Sequence, residues 1–485
     1  MAQQAQAKIG VFGIGLAAYW SQFEGLKSRL EGYQREVENR LASFGAEIVS
    51  AGLVDSAPAA QAAGDLFARE NVDLLVCYVG TYATSSQVLP SVQRRKAPVL
   101  VLNLQPSPAL DYPNTGTGEW LANCCACCVP EISNAFARSH IQFNVVSGLL
   151  HPVEGRAAKY YRQAWAEISA WVQAAAVVRQ LHYSRIGFLG HTYPGMLDMY
   201  SDFTMHHAQL GTHIELLEMD DLHARLEAVT EEEVATKIAE IRATFEIAEA
   251  GRDKISQPVT ADALGWSARV ACALDRLVAD FDLNGLTYYY RGLNGNANET
   301  LGAGLIVGNS LLTARGVPAS GEGDLKTCLA MLMLDRLGAG GSFTEFYAMD
   351  FMEDFILMGH DGPGHIAIAQ GKPLLRGLGL FHGKRGYGLS VEFKVKTGPV
   401  TILTLTQTAA GRLKLLVAEG EAISGPTMQI GNTNSRLKFG LDPATFMNRW
   451  AEAGPTHHCA LGLGHQASKI EKLARLLNLE LVVVG

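Results

Sequence analysis

The segment Val72-Asp73-Leu74-Leu75-Val76-Cys77-Tyr78-Val79 is apolar at all but one position, and short runs of the same kind recur at Lys8–Gly13, Pro98–Asn103, Phe143–Gly148, Arg185–Gly190 and Leu286–Tyr290. Continuous apolar runs without alternation predict strands buried on both faces, as in parallel sheets. A further strand is expected at Glu47–Val54. Segments with helical periodicity separate them: Ser21–Leu41, Ala59–Arg69 and the long Gly155–Leu181. Strand alternating with helix predicts α/β layers, and a second such unit opens at Arg185. Beyond about residue 366 the pattern changes. Leu389–Lys396, Val400–Thr406, Arg412–Glu419 and Met428–Ile430 alternate apolar with polar residues between Gly, Pro and Asn, which predicts antiparallel β structure closed into a barrel or sandwich. A helix at Gln466–Leu477 and a strand at Leu479–Val484 finish the chain. The expected architecture is two Rossmann-like α/β domains with parallel sheets, 1–182 and 183–325, followed by a β-rich, barrel-like C-terminal domain, 326–485.

Composition narrows the functional classes. With 48% hydrophobic and 18% charged residues the chain is globular rather than disordered. A net charge of -8, with basic residues scattered, offers no phosphate-backbone footprint, so no nucleic-acid partner is expected. The longest apolar stretches, Gly10–Trp20 and Leu301–Val307, fall short of the roughly 18 residues of a membrane span, so no membrane is expected either. The first lacks a basic leader and a small-residue cleavage site and reads as a strand and turn, not a signal peptide. Eight cysteines are present, four of them in Cys124-Cys125-Ala126-Cys127-Cys128, a spacing that suits neither a disulfide framework nor a zinc ribbon and fits a reducing cytoplasm. Were this segment helical, Cys124, Cys127 and Cys128 would share one face as a soft-metal or redox site. The plainer reading is that they pack as small hydrophobes.

The turn Gly13-Ile14-Gly15-Leu16-Ala17-Ala18 matches G-x-G-x-x-A, a cradle for a dinucleotide pyrophosphate. Asp55, the first acid at the end of the second strand, lies well beyond the roughly 20 residues expected of a ribose contact. A nucleotide-dependent oxidoreductase is therefore the weakest reading, and no nucleotide cofactor is expected.

The stretch from Gly321 to His365 carries more chemistry. Gly321-Glu322-Gly323-Asp324 precedes a helical segment, Leu325–Leu337; Phe351-Met352-Glu353-Asp354 follows, then Met358-Gly359-His360 and His365; near the end of the chain stands His457-His458. Carboxylates among Gly and apolar residues have few reasons to be there unless something positive needs them. Glu322, Glu353, His360 and His458 would supply a mixed oxygen and nitrogen set suited to Mn²⁺, with positions left open for substrate oxygens. A divalent ion so held polarises a carbonyl while carboxylates shuttle a proton between adjacent carbons, the work of an aldose–ketose isomerisation through an enediol. Taken singly each residue has a structural explanation: Glu322 and Asp324 as caps at a helix start, the histidines as surface.

In that order and rough spacing, Gly-Glu-Gly-Asp with Leu325-Lys326-Thr327, Phe-Met-Glu-Asp, Gly-His and Gly-x-x-His-His resemble the motifs of L-arabinose isomerase and, more distantly, L-fucose isomerase. The resemblance implies a metal-dependent sugar isomerase, with Glu322 and Glu353 binding the metal and transferring protons and His360 and His458 completing the coordination. The metal would be Mn²⁺, or a related ion such as Co²⁺ or Mg²⁺. His458 is preferred to His457 because the family's ligand is the second His of its pair. His365 competes with His360, since the segment from Glu353 to His360 is about ten residues shorter than in the family. Two substrate contacts follow by the same resemblance: Gln22, in the segment replacing the family's Gly-Ser-Gln-His, and Met196, in His191-Thr192-Tyr193-Pro194-Gly195-Met196. The resemblance further implies a homo-oligomer, trimer or hexamer, with the Cys-rich segment as a candidate contact. A protein that keeps the fold and binds sugar without isomerising it is the alternative.

Overall fold

Helix Ala57–Arg69 lies on the first sheet at a glycine: a Cβ on Gly10 would come 2.7 Å from the Phe67 ring, which also packs on Phe12 with centroids 5.9 Å apart. The sheet there is the one the apolar runs predict. In this computed structural model, which describes residues 6–249, 251–252, 254–292, 295–378 and 388–485, the chain forms two compact units, one within residues 4–179 and one within 180–485. In the first, β1 (Lys8–Ile14), β2 (Glu47–Val54), β3 (Leu74–Val79), β4 (Val99–Gln105) and β5 (Phe143–Leu149) form a parallel sheet in the order β2-β1-β3-β4-β5. β3 is buried at every position, as its unbroken apolar run requires.

Two details of this unit bear on the sequence reading. The glycine turn after β1 enters a short 3₁₀ segment, Ala17–Tyr19, and the following helix opens only at Leu26. The G-x-G-x-x-A match thus lacks the helix N-terminus that would hold a pyrophosphate. Gly15 is explained by packing, since a Cβ there would lie 2.8 Å from the Trp20 ring. The cysteine cluster is not helical either. It spans the gap between helices Thr117–Ala122 and Val129–Arg138, and Pro130 sits in the first turn of the second of them, where its missing N–H costs nothing. Cys124, Cys125 and Cys128 are buried. The Cys125 thiol points at the Leu104 carbonyl, 3.4 Å away, and burial pushes its pKa up to about 12, which keeps it protonated and unreactive.

In the second unit, β6 (Arg185–Gly190), β7 (His213–Leu217), β8 (Gly285–Tyr289) and β9 (Ala319–Ser320) form another parallel sheet, ordered β9-β8-β6-β7. The chain then changes to antiparallel pairing, as expected. β10 (Ser342–Asp350), β11 (Phe355–His360), β12 (Gly398–Gln407), β13 (Leu413–Ile423), β14 (Thr433–Phe439), β15 (Cys459–Leu463) and β16 (Glu480–Val483) are ordered β12-β15-β10-β11-β14-β13-β16, and a β12–β13 pairing closes them into a barrel. β16 alone runs parallel to its neighbour. The expected strand at Met428–Ile430 is a loop, and the strand lies farther on at β14. The reason is local: the Asn434 side chain accepts the Met428 N–H at 3.0 Å and donates to the Met428 carbonyl at 3.3 Å, satisfying both groups without a ladder.

Helix Leu325–Arg336 ties the two layers of this unit together. Its first ten residues are all buried, the mark of a helix enclosed on every side. It packs against β12 and β15 of the barrel and β8 of the parallel sheet. Among the described residues, no helix is long and apolar enough to cross a membrane.

Beside the start of this helix lies a titratable group without a counterpart. His206, in helix Phe203–Leu210, is fully buried, and neither ring nitrogen has a protein hydrogen-bond partner. Burial, aided by the Lys326 charge, lowers its pKa to about 3. Between that value and the unfolded-state value near 6.5 the unfolded chain binds the extra proton, so His206 makes stability fall as pH drops through this window, by on the order of 5 kcal/mol. Urea midpoints at pH 7.5 and 4.5 should therefore converge for His206→Gln relative to the parent; equal pH slopes in the two proteins would refute this.

Candidate metal centre

Gly321 to Asp324 carries the chain from β9 into the central helix, and its backbone is tightly constrained. Gly323 has φ +69°, and a Cβ there would lie 2.5 Å from the His191 carbonyl oxygen. Glu322 also adopts the left-handed region, at φ +61°, which costs a non-glycine residue roughly 1 kcal/mol. Two hydrogen bonds hold it there: Tyr193 N–H donates to the Glu322 carbonyl at 2.8 Å, and Gly323 N–H donates to the Tyr288 carbonyl at 2.9 Å. The strain turns the Glu322 side chain toward the barrel end of the unit.

Asp324 is the N-cap of the helix, as the structural reading of its position expects. Its carboxylate accepts the Thr327 N–H at 2.9 Å and the Thr327 hydroxyl at 2.8 Å. It also accepts a hydrogen bond from His458 Nδ1 at 2.9 Å, with both side chains fully buried. Burial works to raise the Asp324 pKa, but the His458 hydrogen bond leads the contacts that keep it below the ordinary carboxylate value. Because the carboxylate only accepts, the His458 proton sits on Nδ1 and the Nε2 lone pair points the other way. Nε2 is buried, has no hydrogen-bond partner, and stands 3.6 Å from Glu322 Oε2. His360, at the end of β11, brings a third donor: ligand atoms of Glu322, His360 and His458 all lie within 4.8 Å of one another. Phe343 on β10 forms the apolar floor, its ring centroid 4.4 Å from that of His360 and 4.3 Å from that of His458.

Two residues on from Phe343, and therefore on the same face of β10, stands Glu345. Ligand atoms of Glu345, His457 and His458 form a second group within 4.8 Å, sharing His458 with the first. His457 Nε2 is 2.6 Å from Glu345 Oε2, and the His457 N–H donates to Asp198 at 2.7 Å. The Glu345 hydrogen bond leads the contacts that raise the His457 pKa. For Glu345 burial acts upward, and the His457 hydrogen bond with the neighbouring imidazoles outweighs it, so its carboxyl is held below the ordinary value.

Glu353 is placed elsewhere. It sits in the turn between β10 and β11 with its side chain 62% exposed, against 20% for Glu345, and pairs with Arg436 at 2.8 Å. Of the four residues expected to form the metal set, the structure brings Glu322, His360 and His458 together and not Glu353. A hairpin tip cannot turn back onto the strand end where His360 stands, whereas Glu345 is opposite Gly359 in the β10–β11 register. Moving the acid from 353 to 345 also restores eight of the roughly ten residues missing from the family spacing. The signal that could have found it was the alternation of Phe343 and Glu345 on one strand face. His365 is buried away from the group, 3.5 Å from Asp335.

A cavity of about 580 Å³ opens over these side chains, lined by Tyr193, Met196, Tyr289, Glu322, Glu345, His360 and His457, among others. Met196 is thus where a substrate contact would be. Gln22 belongs to the first unit, where its amide donates to the Ala18 carbonyl at 2.7 Å. The fit to a metal ion is good on two counts: a buried imidazole nitrogen without a partner, and an outer carboxylate that fixes its tautomer, the arrangement found around metal-ligating histidines.

Comparison with known proteins gives the family. The L-arabinose isomerase central domain matches residues 201–340, and the L-arabinose isomerase C-terminal domain matches residues 340–480. L-arabinose isomerase 1 of Bacillus licheniformis is 24% identical over 333 residues, 67% of this chain and 64% of its own length. A sulfoquinovose isomerase of Alkalicoccus urumqiensis is 26% identical over 317 residues, 63% of this chain and 66% of its own. Over a longer span, 85% of this chain and 80% of the relative, L-arabinose isomerase of Halalkalibacterium halodurans is 22% identical. The chain spans slightly less than two thirds of the first two relatives.

Proposed function

Because this chain belongs to the L-arabinose isomerase family, we propose that it is a metal-dependent sugar isomerase that interconverts an aldose and its 2-ketose through an enediol. The observation that carries the reading is His458 Nε2, buried without a partner, aimed by Asp324 at Glu322 and His360 beneath a sugar-sized cavity. In this proposal Glu322, Glu345, His360 and His458 hold a divalent ion, Mn²⁺ or a related cation. When bound, the ion polarises the substrate carbonyl and neutralises charge as it develops. Glu345 replaces Glu353 as the second carboxylate.

The chain's own groups do the rest. Glu322 and Glu345 flank the cavity floor, and carboxylates on two sides of a bound sugar can take a proton from one carbon and return it to its neighbour. His457 keeps the Glu345 carboxylate oriented, and Asp198 fixes His457 through its backbone. Tyr193, Tyr289 and Met196 give the cavity an apolar wall that suits the C–H face of a sugar and keeps water off the exchanging proton.

The test is a screen of pentoses, hexoses, deoxysugars and tetroses for ketose formation with Mn²⁺, Co²⁺ or Mg²⁺. A 6-sulfonated hexose belongs in the panel, since one relative is a sulfoquinovose isomerase. Metal-dependent turnover of at least one aldose is expected, abolished by EDTA and restored by the ion. Metal-dependent sugar binding with no ketose from any of them would replace the proposal with a sugar-binding role.

A further inference from the structure

The cavity over the metal centre continues along the end of β8, and its other end is built from different chemistry. Beside Glu322, Gly323 N–H meets the Tyr288 carbonyl. Four residues farther along, Gly292 packs on Asn298 and Glu299, where a Cβ on the glycine would lie 2.5 Å from the Glu299 Cα. Tyr290 ties down the same wall, its hydroxyl donating to the Gly302 carbonyl at 3.4 Å. Four residues of chain span at most about 14 Å, and side chains reach inward from both ends, so the gap between the metal donors and Asn298 with Glu299 is on the scale of one open-chain sugar. Both residues line the cavity, and each is held from outside it. His223, on helix Met219–Ala228, places its Nε2 2.8 Å from Asn298 Oδ1. With that oxygen engaged, the amide offers its N–H₂ to a ligand. One Glu299 carboxylate oxygen accepts the Gly295 N–H, which leaves the other as an acceptor. The Glu299 N–H itself goes to Asn296 Oδ1 at 2.9 Å, so side chains and not backbone face a ligand here.

We propose that Asn298 and Glu299 form a subsite for the terminal hydroxyl of the sugar, with His223 as the residue that positions Asn298. The orientation rests on the proposed isomerisation, which puts the sugar's carbonyl at the metal end and its last carbon here. A hydroxyl is donor and acceptor at once and matches this pair: it accepts from the Asn298 amide and donates to the Glu299 carboxylate. A deoxy terminus would leave both groups in a drained cavity without partners, and such a site discriminates strongly against the analogue that lacks the hydroxyl. A sulfonate or phosphate terminus brings acceptors and negative charge to a lining that already carries Glu299 and Asp361, and among the described residues no Lys or Arg lines the cavity. The substrate class is therefore an uncharged aldose with a free terminal hydroxyl.

The experiment is calorimetry on the full chain at saturating Mn²⁺ with sugars that differ at one carbon: D-glucose, D-galactose and L-galactose, each beside its 6-deoxy counterpart, and the 6-sulfonated form of D-glucose. The parent should bind at least one 6-hydroxy sugar about 10- to 100-fold more tightly than the 6-deoxy sugar and should not bind the sulfonated one. Asn298→Ala and Glu299→Gln should each remove most of that preference while leaving affinity for the 6-deoxy sugar unchanged; a merely structural effect would weaken both sugars alike. His223→Phe should reproduce Asn298→Ala, and His223→Gln, which can still donate, should keep the parent's preference. A parent that binds none of these sugars, or binds the deoxy form as tightly as the hydroxy form, or variants that retain the parent's preference, would overturn the proposal. Ketose formation without the preference would overturn the subsite and leave the isomerase standing, whereas the preference without any ketose would leave the subsite and remove the isomerase.

Discussion

Glu345→Gln is expected to lower kcat/KM for the isomerised sugar by at least about 100-fold, while Glu353→Gln stays within about twofold of the parent. The two acids lie eight positions apart, and the motif containing Glu353 is the more conspicuous in the chain. The structure separates them by environment. Glu345 is largely buried, shares a ligand group with His457 and His458, and faces the cavity. Glu353 is a surface partner of Arg436, and losing such an exposed pair costs roughly 0 to 1 kcal/mol. Glutamine keeps the size of either side chain and removes the charge and the proton-accepting oxygen, so folding should survive both changes. Initial rates at saturating Mn²⁺, with circular dichroism as a folding control, decide the matter. Full activity in Glu345→Gln, or loss of activity in Glu353→Gln alone, would restore the earlier assignment.

The second large effect is expected at Asp324, which touches no cavity. Asp324→Asn should weaken Mn²⁺ binding by about 10- to 100-fold, measured by calorimetry on the metal-free protein. The cause is the tautomer of His458. An amide can offer its N–H₂ to Nδ1, and the imidazole proton then moves to Nε2, where the lone pair for a metal has to be. Asp324→Ala should go further and unfold more easily, by about 3 to 5 kcal/mol, because it removes one partner of a fully buried pair together with the helix cap. If Asp324→Asn bound Mn²⁺ as tightly as the parent, the orienting role of this carboxylate would be excluded.

Much of the fold is visible in the linear pattern for a physical reason. Strands buried on both faces are apolar throughout where nothing inside can pair a polar group, so β3 and its neighbours announce themselves; the barrel strand β12 alternates although it too is buried on both faces, because the Thr401 and Thr404 hydroxyls on its second face donate to the Gly464 and His458 carbonyls. The Met428–Ile430 segment misled because apolar residues beside a groove resemble apolar residues in a strand; the difference lies in the Asn434 side chain, which takes the backbone bonds a ladder would have taken. The Cys124–Cys128 segment likewise has no periodicity that could reveal its non-helical course.

The sequence by itself determined the order of the layers and the change from parallel to antiparallel pairing, because each is signalled by local patterning; the candidacy of Glu322, His360 and His458 came from motifs that resemble those of a known family. It could not choose between Glu345 and Glu353. Both follow Phe343 on one hairpin, and which of them reaches the imidazoles depends on the register between β10 and β11 and on where the chain turns. That register is a long-range pairing, settled only when β11 docks on β14 and β15 brings His458 under Asp324. The same pairing leaves Glu353 at the exposed hairpin tip and sets Glu345 beside His457 and His458.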